Sequence, residues 1–107
     1  MNVEWMRGCA TALVTPFGSE GGVDLGRVGA LVRRQCEGGV RLLVPCGTTG
    51  ESVTMSEDEN RAVVVKTVEV AREFGARVIA GAGSNSTAHA VSNARAAQAA
   101  GADAVLV

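Results

Sequence analysis

The chain has 107 residues, 47% of them hydrophobic and 20% charged, with a formal net charge of -1. That is the balance of a soluble globular domain, not of a disordered or membrane-spanning chain. No apolar run approaches the roughly 20 residues that cross a bilayer, the N-terminus lacks a secretory pattern, and no basic cluster offers a site for nucleic acid.

The first predicted element is a short buried strand within residues 9–17, CATALVTPF, stopped at Thr15-Pro16. Residues 24–37 read as a helix with Leu25, Val28, Leu31, Val32 and Cys36 on one face. Asp24 is its N-cap and Gly38-Gly39 its stop. Residues 40–45, VRLLVP, form the second strand, followed by the loop CGTTGE. Ser56 opens a longer helix, with Glu59 at the spacing of a capping box. Its inward stripe is Val64, Val68 and Ala71, and Gly75 ends it. Residues 76–83 form a third strand with a glycine-rich exit. The alanine-dominated segment 86–100 is a third helix, on which Ala90, Ala94 and Ala97 can pack closely. Residues 102–107 form a fourth apolar strand, expected to be buried.

The order is βαβαβαβ, and the strands begin near residues 9, 41, 77 and 103. Near-continuous apolar strands at a spacing of about 30 residues point to parallel βα units in a single unit spanning 1–107. A small doubly wound sheet and the first half of a (β/α)₈ barrel share this beginning. The barrel needs about 250 residues, so the chain is expected to be a truncated one. Cys9, Cys36 and Cys46 are odd in number and lack metal-ligand spacing. They read as reduced thiols of a cytoplasmic protein, with no metal site.

Both architectures bind ligands at the carboxyl ends of their strands. That rim collects Thr15-Pro16-Phe17, the loop Cys46–Glu51, and Gly81–Ser86. Gly47 and Gly50 allow close backbone approach, and the hydroxyl and N–H groups of Thr48 and Thr49 can bind a carboxylate. A threonine hydroxyl donates and accepts, so it can also pass a proton. A simple capping turn ahead of Ser56 would account for the same residues. Glu51 is expected to hydrogen-bond backbone in the rim. Gly81-x-Gly83-x-x-Ser86 has part of a dinucleotide fingerprint, with Asp103 20 residues after Gly83. The third glycine is missing, and Asp103 sits at a strand's start, not its exit. Cys46 lacks a nearby histidine and reads as a small buried thiol, not a nucleophile. His89, one turn into a helix, reads as a surface or cap residue.

GTTGE after a buried strand, with TPF some thirty residues before it and VIAGAGSNSTAHA some thirty after, resembles the dihydrodipicolinate synthase and N-acetylneuraminate lyase superfamily. The likeness runs from Gly8 to Val107. It implies the N-terminal half of a class I aldolase-type (β/α)₈ TIM barrel that forms a Schiff base between a lysine and pyruvate, without a cofactor. The double threonine looks most like dihydrodipicolinate synthase, a lyase condensing pyruvate with aspartate semialdehyde in lysine (diaminopimelate) biosynthesis. On that resemblance Thr49, with Thr48, holds the pyruvate carboxylate, and Thr48 joins a proton relay with tyrosines. The resemblance also implies a homotetramer built as a dimer of dimers. The family's Schiff-base lysine and catalytic tyrosine lie in later strands, absent here. The only lysine, Lys66, lies two residues from both Val64 and Val68, which turns it toward solvent, so it is assigned no chemistry and the chain alone is expected to be inactive. Asn85 matches a position of the family's lysine-feedback site, but Glu57, Asn60 and His89 replace the side chains typical of the enterobacterial form. Two other readings stand beside this one. One is another pyruvate aldolase, acting on N-acetylneuraminate or sugar acids; the other is a non-catalytic α/β binding module.

Overall fold

A computed structural model describes residues 1–107. Apolar strands separated by one-sided helices must bury both kinds of surface against each other, and here they do so in two layers. In chain order the elements are a 3₁₀ turn Glu4–Met6, β1 Ala10–Ala12, α1 Leu25–Glu37, β2 Leu42–Val44, a 3₁₀ turn Ser52–Thr54, α2 Glu57–Glu73, β3 Arg77–Gly81, α3 Thr87–Ala99 and β4 Ala104–Leu106. The sheet order is β1-β2-β3-β4 and every neighbouring pair is parallel. A doubly wound sheet reverses its strand order part-way, whereas a barrel adds each strand beside the last. The observed order is that of half a (β/α)₈ barrel.

Local chemistry sets the helix ends as expected. The Asp24 carboxylate accepts from the Arg27 N–H, and Gly39 leaves α1 at φ 98°. Ser56 and Glu59 exchange both bonds of a capping box at the start of α2, and Gly75 turns the chain out at φ 66°. Between sheet and helices, Leu13, Leu43, Val78 and Ala80 pack against Val28, Val32 and Cys36 of α1 and Val63, Val68 and Ala71 of α2. Full burial of each Val or Leu contributes about 1.5–3 kcal/mol, so this seam fixes how the helices sit on the strands.

Several expectations are corrected. The strands are shorter than their apolar runs, because the chain turns at Pro45-Cys46 and at Thr15-Pro16, where Phe17 and Val23 form an antiparallel bridge. In α1 the buried stripe is Val28, Gly29, Val32 and Cys36; Leu25 in the first turn is exposed. In α3 only Ala97 is buried, since α2 covers one side of that helix alone. Leu106 is 54% exposed instead of buried, as β4 is an edge strand with β3 as its single neighbour. Just past β1, Val14 is 57% exposed, while its neighbours Leu13 and Thr15 are buried.

Lys66 does not stand free in solvent. Gly29 leaves a gap on α1, and the Lys66 stem crosses it so closely that a Cβ on Gly29 would lie 3.0 Å from Lys66 Cε. The ammonium group ends 3.5 Å from a Glu69 carboxylate oxygen. A long side chain covers apolar surface while its charge reaches a partner. This places the only lysine in the helix layer, away from the strand ends.

Candidate active site at the carboxyl ends of the strands

Parallel pairing carries all three expected loops to one rim. The second of them is the most constrained. It leaves β2 through Pro45 and Cys46, makes two overlapping turns (Gly50 N–H to Gly47 O, 3.1 Å; Glu51 N–H to Thr48 O, 3.0 Å), and enters the 3₁₀ turn at Ser52. Cys46 at φ 59° and Glu51 at φ 60° bracket it, both left-handed without being glycine. Each such residue costs about 1–2 kcal/mol, so the loop persists only because its surroundings hold it.

Two of those surroundings come from neighbouring strands or their exits. From the exit of β1, the buried Thr15 hydroxyl donates to Gly50 O at 2.7 Å. From β3, the Gly81 N–H donates to Pro45 O at 2.9 Å, and the Cys46–Gly47 peptide lies where a Gly81 side chain would be. A third restraint comes from α2. Asn60 Nδ2 donates to the carbonyls of Ser52 and Ser56, both at 3.1 Å, while the Cys46 thiol donates to Asn60 O at 3.5 Å.

Thr48 and Thr49 are exposed, and their hydroxyls have no partner within the chain. The backbone N–H groups of Gly47, Thr48 and Thr49 are likewise free. Consecutive unpaired N–H groups beside two hydroxyls can receive an anionic oxygen without a formal positive charge. Glu51 differs from expectation: its side chain is exposed, and its hydrogen bonds in the rim come from its backbone N–H and carbonyl.

Other readings of the rim are settled by geometry. Gly81 is closed off by the Cys46 carbonyl, so it cannot admit a pyrophosphate. Asp103 is spent at the amino end of β3, where it accepts from Val78 N–H and Arg77 Nη1, both at 2.9 Å. The dinucleotide pattern is therefore structural. Cys46 is 4% exposed, and burial pushes its thiol up to about 12. A thiolate nucleophile needs the opposite shift. Burial also raises Cys36, against the pull of Arg41 and Arg33, whereas Cys9 is exposed. Iodoacetamide at neutral pH followed by peptide mass mapping should label Cys9 and leave Cys46 and Cys36 unmodified until the fold is denatured. The stability that the neutral Cys46 thiol contributes is complete below pH 9 and falls as pH rises toward 12.

Beside the rim, between the 3₁₀ turn at Ser52 and the start of α3, lies a cleft of about 600 Å³. Glu57, Asn60, Asn85 and His89 all line it, with Arg61, whereas Thr48 and Thr49 do not. His89 is exposed, and its backbone N–H is capped by Ser86 Oγ. Sequence reasoning missed three features here: Asn60 as the brace of the 3₁₀ turn, the left-handed Cys46, and the Thr15–Gly50 bond. Only the last had a signal. Alternation along the expected strand within residues 9–17 puts Thr15 on the same face as Leu13, where a buried hydroxyl needs a partner.

A parallel sheet of βα units with an open polar loop at its carboxyl rim defines the class: a (β/α)₈-barrel enzyme scaffold, here through its first four strands. The profile of the Dihydrodipicolinate synthetase family matches residues 5–107, and the chain belongs to that family. The 4-hydroxy-tetrahydrodipicolinate synthase of Koribacter versatilis is 52% identical over 90 residues, 84% of this chain and 30% of the relative. The enzyme of the same name from Gluconobacter oxydans is 50% identical over 101 residues, 94% of this chain and 34% of the relative. Among solved structures, dihydrodipicolinate synthase from Aquifex aeolicus superposes with a TM-score of 0.87 at 38% identity, covering 94% of this chain and 34% of that one. The chain thus spans about a third of the length of the curated relatives it matches. No helix is long and apolar enough to cross a membrane.

Proposed function

We propose that the full-length protein bearing this segment is a class I aldolase-type lyase, dihydrodipicolinate synthase, which joins pyruvate to aspartate semialdehyde through a Schiff base. The observation that carries the proposal is the Gly47–Gly50 loop, with two free hydroxyls and three free N–H groups on the rim of a barrel scaffold. In this reading Thr49, with Thr48, holds the pyruvate carboxylate. That fixes the keto carbon relative to the attacking amine, and the Thr48 hydroxyl passes protons as the imine forms and rearranges. Holding the carboxylate by neutral donors leaves the loop itself without a charge that would have to be desolvated. The three free cysteines agree with a reducing, cytoplasmic setting. A homotetramer built as a dimer of dimers belongs to the same reading and rests on the family resemblance.

The nucleophile is not in this segment. Lys66 lies in the α1–α2 seam, paired with Glu69, and cannot reach the strand ends without leaving the helix layer. Borohydride reduction in the presence of pyruvate, followed by intact-mass and peptide mapping, tests this. The full-length enzyme should gain one 1-carboxyethyl group on a lysine outside residues 1–107. Residues 1–107 alone should gain none. Stoichiometric labelling of Lys66 would contradict the proposal.

A further inference from the structure

We propose that Thr15 is a positioning residue for the Thr48–Thr49 pair, acting through the Gly50 carbonyl; this rests on the function proposed above for that loop. Residues 47–50 are held at two points by other strands, and the two restraints are different in kind. At the Cys46 end, β3 contributes a backbone bond and a lack of space. At the Gly50 end the sole bond from a neighbouring strand's exit is the Thr15 hydroxyl, 2.7 Å from Gly50 O and only 5% exposed.

The fit around this bond is tight. A Cβ on Gly50 would lie 3.1 Å from Leu13 O and 3.3 Å from both Cys46 N and Thr15 Oγ1. Gly50 therefore sits against the exit of β1, and the hydroxyl closes the contact. One residue further on, Glu51 takes its left-handed conformation, which the turn must be held in place to sustain. Without the Thr15 bond, the Gly50 carbonyl loses its partner beyond β1, and the Gly50 end is held only by the loop's own turn bonds and the Asn60 brace on the turn that follows. Thr48 and Thr49 lie between these two anchors and would move together. A shift of about an ångström in a group that orients substrate can cost up to about a hundredfold in rate. Because one hydroxyl acts on turnover and the other on carboxylate binding, the kinetic signature should be double.

The test is steady-state kinetics of the full-length enzyme. Thr15→Val should lower kcat and raise KM for pyruvate together, with kcat/KM down about tenfold, and leave KM for the aldehyde unchanged. Thr15→Ser, which keeps the hydroxyl, should restore kcat/KM to within about twofold. If Thr15→Val fails to accumulate, Thr15→Ala removes the same hydroxyl without added bulk and carries the same expectation. Wild-type kcat and KM in a folded Thr15→Val or Thr15→Ala enzyme would overturn the proposal, as would a Thr15→Ser enzyme no better than Thr15→Val. The parallel Thr48→Val enzyme separates the two levels. If Thr48→Val is impaired and Thr15→Val is not, positioning alone fails; if Thr48→Val is itself unimpaired, the reading of the loop fails.

Discussion

Replacing Gly81 by alanine should destabilise the full-length enzyme by about 3 kcal/mol or more, seen as a fall of about 6–12 °C in Tm, and should reduce its activity over tenfold. Gly81 does not need glycine for its backbone angle, which is not left-handed. It needs glycine for space. A Cβ there would lie 2.5 Å from the Cys46 carbonyl carbon and 2.8 Å from Gly47 N. Those are backbone atoms, so no rotamer change relieves the clash. Either β3 withdraws from β2, breaking the Gly81–Pro45 bond, or the Cys46–Gly47 peptide shifts and carries Thr48 with it. Overpacking against side chains costs about 1–3 kcal/mol, and an immovable neighbour puts this case at the upper end or beyond. Gly22→Ala is the control. Its backbone angle is not left-handed and an added Cβ would meet nothing within 4 Å, so its Tm should stay close to wild type. A Gly81→Ala enzyme with unchanged Tm would refute the packing described for the rim.

Much of this architecture is legible from residue order because its determinants are local. Asp24, and Ser56 with Glu59, cap the helices they precede, and each signal lies within four residues of its effect. The rim follows from strand direction alone: once β1, β2 and β3 are parallel, Thr15, Thr48 and Gly81 must share an end. What escapes is set by partners distant in sequence. Helical angles turn Lys66 outward, but the gap opposite belongs to Gly29 on another helix. Cys46 and Glu51 have no residue-type signature for a left-handed conformation, because the neighbouring loops impose it. Thr15 and Gly50 are 35 residues apart, and Asn60 braces a 3₁₀ turn that has no apolar period. The short strands show the same limit. An apolar run marks burial, and the turn at Pro45-Cys46 decides where pairing stops.

In the proposed function the Thr48 hydroxyl is where fold, site and chemistry meet. Within residues 1–107 Thr48 is exposed and its side chain bonds to nothing, so exchanging the hydroxyl for a methyl group should change the stability of this segment by no more than about 0.5 kcal/mol. The loop's frame does not depend on it, since Thr15, Gly81 and Asn60 act on its neighbours. A kinetic change in Thr48→Val therefore reports chemistry, not folding. General acid–base assistance contributes about 10²- to 10⁴-fold, and its loss appears in kcat when the interaction is made in the transition state. The most direct measurement is kcat and KM for pyruvate of the full-length Thr48→Val enzyme, alongside its Tm. The expected result is kcat lowered by about 10²–10⁴, a much smaller rise in KM, and an unchanged Tm. An unchanged kcat at unchanged Tm would remove Thr48 from the mechanism.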